Sequence, residues 1–109
     1  MEWEQAAGGF AAMGSEARLA VLRCLVRAGD TGLIVQDIQE RTGIMPSTLA
    51  HHLKLLVGAG LVVQRKDGRS TINTADYTQL RLLAGFILSE CCADEETGLN
   101  VALEAANDG

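Results

Sequence analysis

The chain has 109 residues, of which 48% are hydrophobic and 4% aromatic, and its formal net charge is −5. This size and composition argue against disorder and predict one small folded domain over residues 1–109, mainly helical because alanine and leucine dominate. No apolar stretch is long enough to span a membrane, and the acidic start MEWEQ lacks the basic flank of a signal peptide, so a cytoplasmic protein is expected.

Three helices are predicted before residue 45. Gly14 ends the first, whose apolar residues recur at helical spacing: Trp3, Ala6, Ala7, Phe10 and Met13. Ser15 is placed to cap a second helix over residues 16–28, which Gly29 ends and in which Leu19, Leu22 and Val26 are expected to face inward. After a loop, residues 34–42 form a short helix with Val35 and Ile38 inward, and Gly43 makes the turn to the next helix.

The fourth predicted helix has the features of a DNA-recognition helix. Pro46 suits a first helical turn, Ser47 and Thr48 are placed to cap it, and Leu49, Leu53 and Leu56 recur on one side. The other side carries short or donor-bearing side chains that can contact base edges or phosphates, namely Ser47, Ala50, His51 and Lys54. Gly58 and Gly60 end the helix.

A charged hairpin follows this helix. Residues 61–65 alternate like a strand, Asp67-Gly68 is a hairpin signal, and residues 69–74 return. Between residues 41 and 81, six basic residues stand against two acidic ones, so one face can attract phosphate although the whole chain is acidic. A helix followed by a basic hairpin predicts a winged helix-turn-helix that binds double-stranded DNA.

The first and last helices are expected to form a homodimer. Asp76 caps a long fifth helix with one apolar stripe, made by Leu80, Leu83, Ala84, Ile87 and Cys91. Two such stripes exceed what one small core can cover, and the alternative is that both helices fold back on their own domain. A dimer predicts a palindromic operator with half-sites about one DNA turn apart.

The sequence resembles the ArsR/SmtB family of bacterial metal- and metalloid-responsive repressors. The resemblance covers nearly the whole chain and rests on residues 16–19 (EARL), 47–56 (STLAHHLKLL), 59–62 (AGLV) and 67–69 (DGR). It implies a dimeric winged-helix repressor that releases its operator when an inducer binds, and it places Ser47, Ala50 and His51 at base-contacting positions. Many members carry serine where this chain has Ala50. His52 is expected to be a partly buried packing histidine. The complete predicted DNA-binding set is Ser47, Thr48, Ala50, His51, Lys54, Arg65, Lys66 and Arg69.

Two sensor sites of the family are absent from this sequence. The arsenite-sensing prototype has a Cys-Val-Cys pair where this chain has Ile34 and Gln36 in the cysteine places. The zinc sensors use acidic and histidine ligands along the last helix, and here the aligned positions are Asp76, Thr78, Ser89 and Cys92. Two hydroxyl groups cannot replace two imidazoles around zinc, so an ordinary zinc site is not predicted.

Cys91 and Cys92 remain as sensor candidates. An adjacent thiol pair suits trivalent arsenic or antimony, and some arsenic-responsive members of the family carry such a pair with a third cysteine shortly after it. Residues 98–107 contain no cysteine, which leaves a two-thiol site that suits methylarsenite, or the recruitment of Cys24.

Other functions stay open at this point. Cys24 and Cys91 could form a redox or sulfane-sulfur sensor, the cysteines could pack without any ligand, and a winged helix can bind protein instead of DNA. Enzymatic activity is not predicted, because the chain has no glycine-rich phosphate loop and no histidine near a cysteine in sequence.

Overall fold

The computed structural model describes residues 1–95. Five helices and one antiparallel hairpin follow each other along the chain: α1 (Trp3–Met13), α2 (Glu16–Ala28), α3 (Val35–Thr42), α4 (Pro46–Gly58), β1 (Val62–Asp67), β2 (Ser70–Ala75) and α5 (Tyr77–Leu88), with a 3-10 turn at Gly29–Thr31. The predicted architecture, mainly helical with a small hairpin wing, is confirmed. Within the described residues, no helix is long and apolar enough to cross a bilayer.

Two of the predicted helix caps are confirmed. The side chain of Ser15 accepts a hydrogen bond from the N–H of Arg18 at the start of α2. Asp76 accepts one from the N–H of Gln79 at 3.0 Å, at the start of α5. Each bond satisfies an N–H group that has no partner inside the helix, so both helix starts are fixed by the residues that the sequence indicates.

The caps predicted for α4 are wrong. Met45 precedes the helix, Pro46 occupies its first position, and no side chain caps it. Ser47 and Thr48 lie inside the first turn, where their hydroxyl groups are exposed. Both hydroxyl groups are therefore left available to a ligand on the outer side of α4.

The hydrophobic core lies where α2, α4 and the hairpin meet. Its inward side chains from α2 are Val21, Leu22 and Leu25, all at most 3% exposed. Leu19 and Val26, predicted to face inward, are 50% and 41% exposed. The prediction is wrong because apolar residues occur on nearly every side of α2, so their spacing alone does not select the buried side.

The helices α1 and α5 pack closely along part of their length. A Cβ atom on Gly9 would lie 2.8 Å from Cδ1 of the buried Leu83, so glycine permits this approach. Beyond that contact, both helices leave large apolar side chains in solvent, so within one protomer the apolar residues of α1 and α5 are only partly covered. The exposed side chains are Trp3 at 79%, Leu82 at 47%, Ile87 at 65% and Leu88 at 64%.

Candidate DNA-binding surface and thiol site

The outer side of α4 presents the residues predicted to contact DNA. Leu49, Leu53 and Leu56 are at most 3% exposed and fix the inner side of the helix on the core. The residues of the outer side are all exposed: Ser47, Thr48, Ala50, His51 and Lys54. Their hydroxyl, imidazole and ammonium groups can donate hydrogen bonds to bases or phosphates, whereas the Ala50 methyl offers only an apolar contact.

The turn from α3 to α4 fixes where this outer side begins. Gly43 ends α3 in the left-handed conformation with φ 73°. The hydroxyl of Thr42 donates to the carbonyl of Ile38 at 2.8 Å and accepts from the N–H of Ile44 at 3.2 Å. This local network holds α4 at a defined angle to α3, which is the geometry of a helix-turn-helix.

The wing, formed by β1, β2 and their loop, carries the other predicted DNA-binding residues. The strands pair Arg65 with Ile72 and Lys66 with Thr71, and Nζ of Lys66 donates to the Thr71 hydroxyl at 3.0 Å. Consecutive strand residues point to opposite faces, so the side chains of Arg65 and Lys66 lie on opposite faces of the wing. Arg69 lies in the loop and is exposed.

The wing turn differs from its prediction by one residue. Asp67 pairs with Ser70, so the two-residue loop is Gly68-Arg69 and not Asp67-Gly68. Gly68 has φ 63°, a conformation that glycine adopts without the steric cost of a side chain. The shift places Arg69 at the tip of the wing, where its guanidinium can reach a phosphate.

Asn73 positions the wing, a role that was not predicted from the sequence. This residue is fully buried and exchanges backbone hydrogen bonds with Leu33 at 2.8 and 2.9 Å. Its Nδ2 also donates to the Leu33 carbonyl at 3.1 Å, and its Oδ1 accepts from Nε2 of Gln64 at 2.8 Å. A polar residue among the apolar and hydroxyl residues of β2 was the only sequence signal for this role.

His52 lies at the edge between the outer and inner sides of α4. It is half-buried, as predicted, and its Nδ1 is enclosed without a hydrogen-bond partner among the described residues. Burial lowers the pKa of His52, and the positive charges of Arg18 and His51 lower it further. The imidazole is therefore neutral under conditions in which an exposed histidine begins to be protonated.

We expect His52 to make the fold less stable in acid. Protonation favours the unfolded chain, because the pKa of His52 is lowered only in the folded state; its stabilising contribution is complete above the ordinary value of 6.5 and declines as the pH falls below it. Thermal unfolding between about pH 7.5 and pH 5 measures this slope. His52→Gln should flatten the slope, while the exposed control His51→Gln should retain most of it, because burial is the largest cause of the lowered pKa; equal slopes in all three proteins would contradict the assignment.

Cys91 and Cys92 form a thiol pair just beyond α5. The helix ends at Leu88, so Cys91 lies in the turns that follow and not on the predicted helical stripe. The two Sγ atoms are 3.4 Å apart and share a hydrogen bond, and Cys92 has a left-handed φ of 57°. This hydrogen bond raises the pKa of the Cys92 thiol, and burial adds to the effect. Both sulfur atoms can therefore reach one ligand, with a proton held between them.

The described residues supply no third ligand for this pair. No group of three or more histidine, cysteine or acidic side chains within residues 1–95 is arranged to hold a metal ion. Cys24 is half-buried in α2 and packs against the core, as expected of a packing cysteine. The structure thus brings Cys91 and Cys92 together but does not add Cys24 to a three-ligand metal site with them.

Comparison with known proteins agrees with the helix-turn-helix geometry. Residues 13–65 match the family described as a helix-turn-helix domain. The chain is 34% identical over 79 residues to the HTH-type transcriptional regulator YceK of Bacillus subtilis. These residues are 72% of this chain and 78% of YceK. A second relative, ArsR2 of Halobacterium salinarum, bears the name of an arsenical resistance operon repressor; it is 38% identical over 59 residues, which are 54% of this chain and 49% of ArsR2.

Solved structures show the same fold. An ArsR-like transcriptional regulator from Rhodococcus sp. RHA1 has a TM-score of 0.73 at 26% identity, covering 95% of this chain and 94% of the other. The homodimeric winged helix-turn-helix DNA-binding domain of Mb0332 from Mycobacterium bovis has a TM-score of 0.65 at 28% identity, covering 84% and 81%. The relatives and the fold are those of transcriptional regulators and not of enzymes. The chain belongs to the ArsR family of winged helix-turn-helix transcriptional regulators.

Proposed function

We propose that this protein is a homodimeric repressor that binds operator DNA and leaves it when trivalent arsenic or antimony binds Cys91 and Cys92. The observation that carries the sensor assignment is the pair of thiols whose Sγ atoms lie 3.4 Å apart beyond α5. The name of the H. salinarum relative, an arsenical resistance operon repressor, supports this choice of inducer.

The outer side of α4 supports operator binding. Its donor groups, at Ser47, His51 and Lys54, stand opposite a row of buried leucines, so they are presented by a rigid helix. An α-helix fits the major groove of B-DNA, where donors of this kind distinguish base pairs. Lys66 and Arg69 of the wing add positive charge for phosphate contacts on either side of that groove.

The apolar side chains exposed by α1 and α5 support a homodimer. Trp3, Leu82, Ile87 and Leu88 belong to these two helices. A second copy of the same surface can cover them in a two-fold arrangement, and a stable interface of this kind buries about 800 Å² on each partner. Two recognition helices related in this way would read a palindrome with half-sites roughly 34 Å apart.

Trivalent arsenic suits a pair of thiols of which Cys92 keeps its proton. Arsenous acid, As(OH)₃, reacts with two thiols to form two As–S bonds, and each thiol proton leaves with a hydroxide ligand as water. Oxidation states do not change and no free proton is released. Zinc instead prefers four ligands in a tetrahedron and requires thiolates, which the raised pKa of Cys92 opposes.

The position of the thiols links inducer binding to the dimer. Cys91 is three residues beyond the end of α5, next to the exposed Ile87 and Leu88. Closing a ring through arsenic would reorder these turns and shift the surface through which the two copies pair. A coupling free energy of about 1–3 kcal/mol is enough to weaken operator affinity roughly 5- to 150-fold.

Sedimentation of the protein with and without its operator tests the dimeric, DNA-binding part of this proposal. We expect a dimer at micromolar concentration and two protomers for each palindromic duplex. Ile87→Glu should yield monomers that bind the duplex weakly, because a charge would be buried at the interface. The matched control is Leu19→Glu, which places the same charge on the exposed side of α2. A wild-type protein that stays monomeric with DNA present would contradict the proposal.

A further inference from the structure

Among the predicted DNA-contacting residues of α4, Ala50 alone has a side chain without a hydrogen-bond donor. It is exposed on the outer side of the helix. Ser47 lies one turn before it and Lys54 one turn after it, so a methyl group stands between a hydroxyl and an ammonium group. The recognition surface, otherwise made of donors, therefore contains one apolar position.

A hollow of about 250 Å³ opens beside Ala50, where α4 meets the start of α3 and the strand β1. Its walls are apolar apart from two polar side chains, and the residues that line it are Val35, Ala50, Leu53, Lys54, Val57 and Gln64. Two of these walls are fixed by other contacts. Leu53 is 3% exposed, and Nε2 of Gln64 donates to Oδ1 of the buried Asn73 at 2.8 Å. The hollow is therefore a preformed apolar site at the edge of the recognition surface.

Thymine is the base that suits such a site. In the major groove it presents a C5 methyl group beside its O4 acceptor, whereas the other bases are distinguished there by donors and acceptors alone. A donor or acceptor held against the Ala50 methyl would lose water without gaining a hydrogen bond, which weakens binding. A thymine methyl held there leaves water for an apolar surface, which strengthens binding.

We propose that Ala50 selects thymine, with the C5 methyl group of the base seated in the hollow beside it. The inference rests on the operator binding proposed above and specifies one base of each half-site. Since the two protomers of a dimer read a palindrome in the same way, thymine occupies the same position in both halves. Burial of one methyl group should raise the affinity about fourfold, and burial of two about 15-fold.

Deoxyuridine tests this contact because it is thymidine without the C5 methyl group. The probe is a duplex that the wild-type protein selects from a random pool, and its thymines are replaced by deoxyuridine in both half-sites, one position at a time. We expect the replacement at one position to weaken binding of the wild-type protein by about 15-fold. In Ala50→Gly, the same replacement should change the affinity by less than about threefold, because the side chain that contacts the methyl group is gone.

Ala20→Gly is the matched control, because it removes the methyl group of an exposed alanine in α2. It should retain the full effect of deoxyuridine. The ratio of the two affinities is taken within each variant, so a general loss of helix stability cancels.

Two results would overturn the thymine contact and leave operator binding intact. One is a wild-type complex that no deoxyuridine replacement weakens by more than about twofold, and the other is an equal effect in Ala50→Gly. A random pool from which the wild-type protein selects no duplex would overturn operator binding together with the thymine contact.

Discussion

Neutralising Lys54, Lys66 and Arg69 together should weaken operator binding by about 10²- to 10³-fold for each bound protomer at 0.1 M salt, because each lost phosphate contact forgoes the release of about one counterion. The three cations are exposed on the outer side of α4 and on the wing. Glutamine replacements retain much of the side-chain length and remove the charge. In each protomer, the slope of log affinity against log salt should fall by roughly three.

The matched control neutralises two basic residues outside the predicted DNA-binding set. Arg23 and Arg27 are also exposed but belong to α2 and not to the recognition helix or the wing. Arg23→Gln/Arg27→Gln should leave the affinity within about twofold and the salt slope unchanged. If the control weakens binding as much as the triple variant does, then DNA is attracted by overall charge and not by the α4 surface. A palindromic duplex that fails to bind even at low salt would favour a protein-binding role.

Arsenite and cadmium should differ in how their binding depends on pH. The hydrogen bond between Cys92 and Cys91 raises the pKa of the Cys92 thiol, so this thiol stays protonated at neutral pH. Arsenous acid is neutral at these pH values and takes up both thiol protons as water, so its affinity should change little between about pH 6 and pH 8. Cadmium must displace the proton of Cys92, and its affinity should rise by about 10-fold for each pH unit in that range.

Calorimetry in buffers of different ionisation enthalpy counts the protons released in each reaction. Cys24→Ser should behave as the wild type for both ligands, because Cys24 packs in α2, whereas Cys91→Ser/Cys92→Ser should bind neither tightly. Arsenite binding that releases protons, or that follows the pH dependence of cadmium, would contradict the assignment of a protonated Cys92 thiol.

The core side of α4 could be predicted from the sequence, whereas the core side of α2 could not. Leu49, Leu53 and Leu56 form a row at helical spacing, and the opposite side of α4 carries polar residues, so the row identifies the buried side. In α2, apolar residues surround the helix, and Leu19 and Val26 turn outward because the packing of α4 and the hairpin selects the opposite side.

The candidate site was predicted only in its outline. The residue types of the recognition helix and the wing are visible in the sequence, but the one-residue shift that puts Arg69 in the loop depends on the positive φ of Gly68. Cys91 and Cys92 are adjacent in the sequence. That their sulfurs approach to 3.4 Å follows from the end of α5 at Leu88 and the turns after it, which helical periodicity does not predict.

The pairing of the Trp3 and Phe86 rings, which lie edge to face with centroids 5.0 Å apart, depends on contacts between distant parts of the chain. Trp3 and Phe86 are separated by nearly the whole described sequence, and each looks like an ordinary core residue in its own helix. Only the close approach of α1 and α5 at Gly9 and Leu83 brings the two rings together. Sequence spacing within one helix contains no information on such a pair.

Release of a fluorescent operator duplex, followed by anisotropy, is the most direct measurement of the proposed function. With the duplex saturated by protein, arsenite or methylarsenite should return the anisotropy to that of free DNA for the wild type and for Cys24→Ser. The complex of Cys91→Ser/Cys92→Ser should keep its full anisotropy under the same additions. Release of the double variant at the wild-type inducer concentration, or a wild-type complex that neither compound dissociates, would contradict a sensor at Cys91 and Cys92.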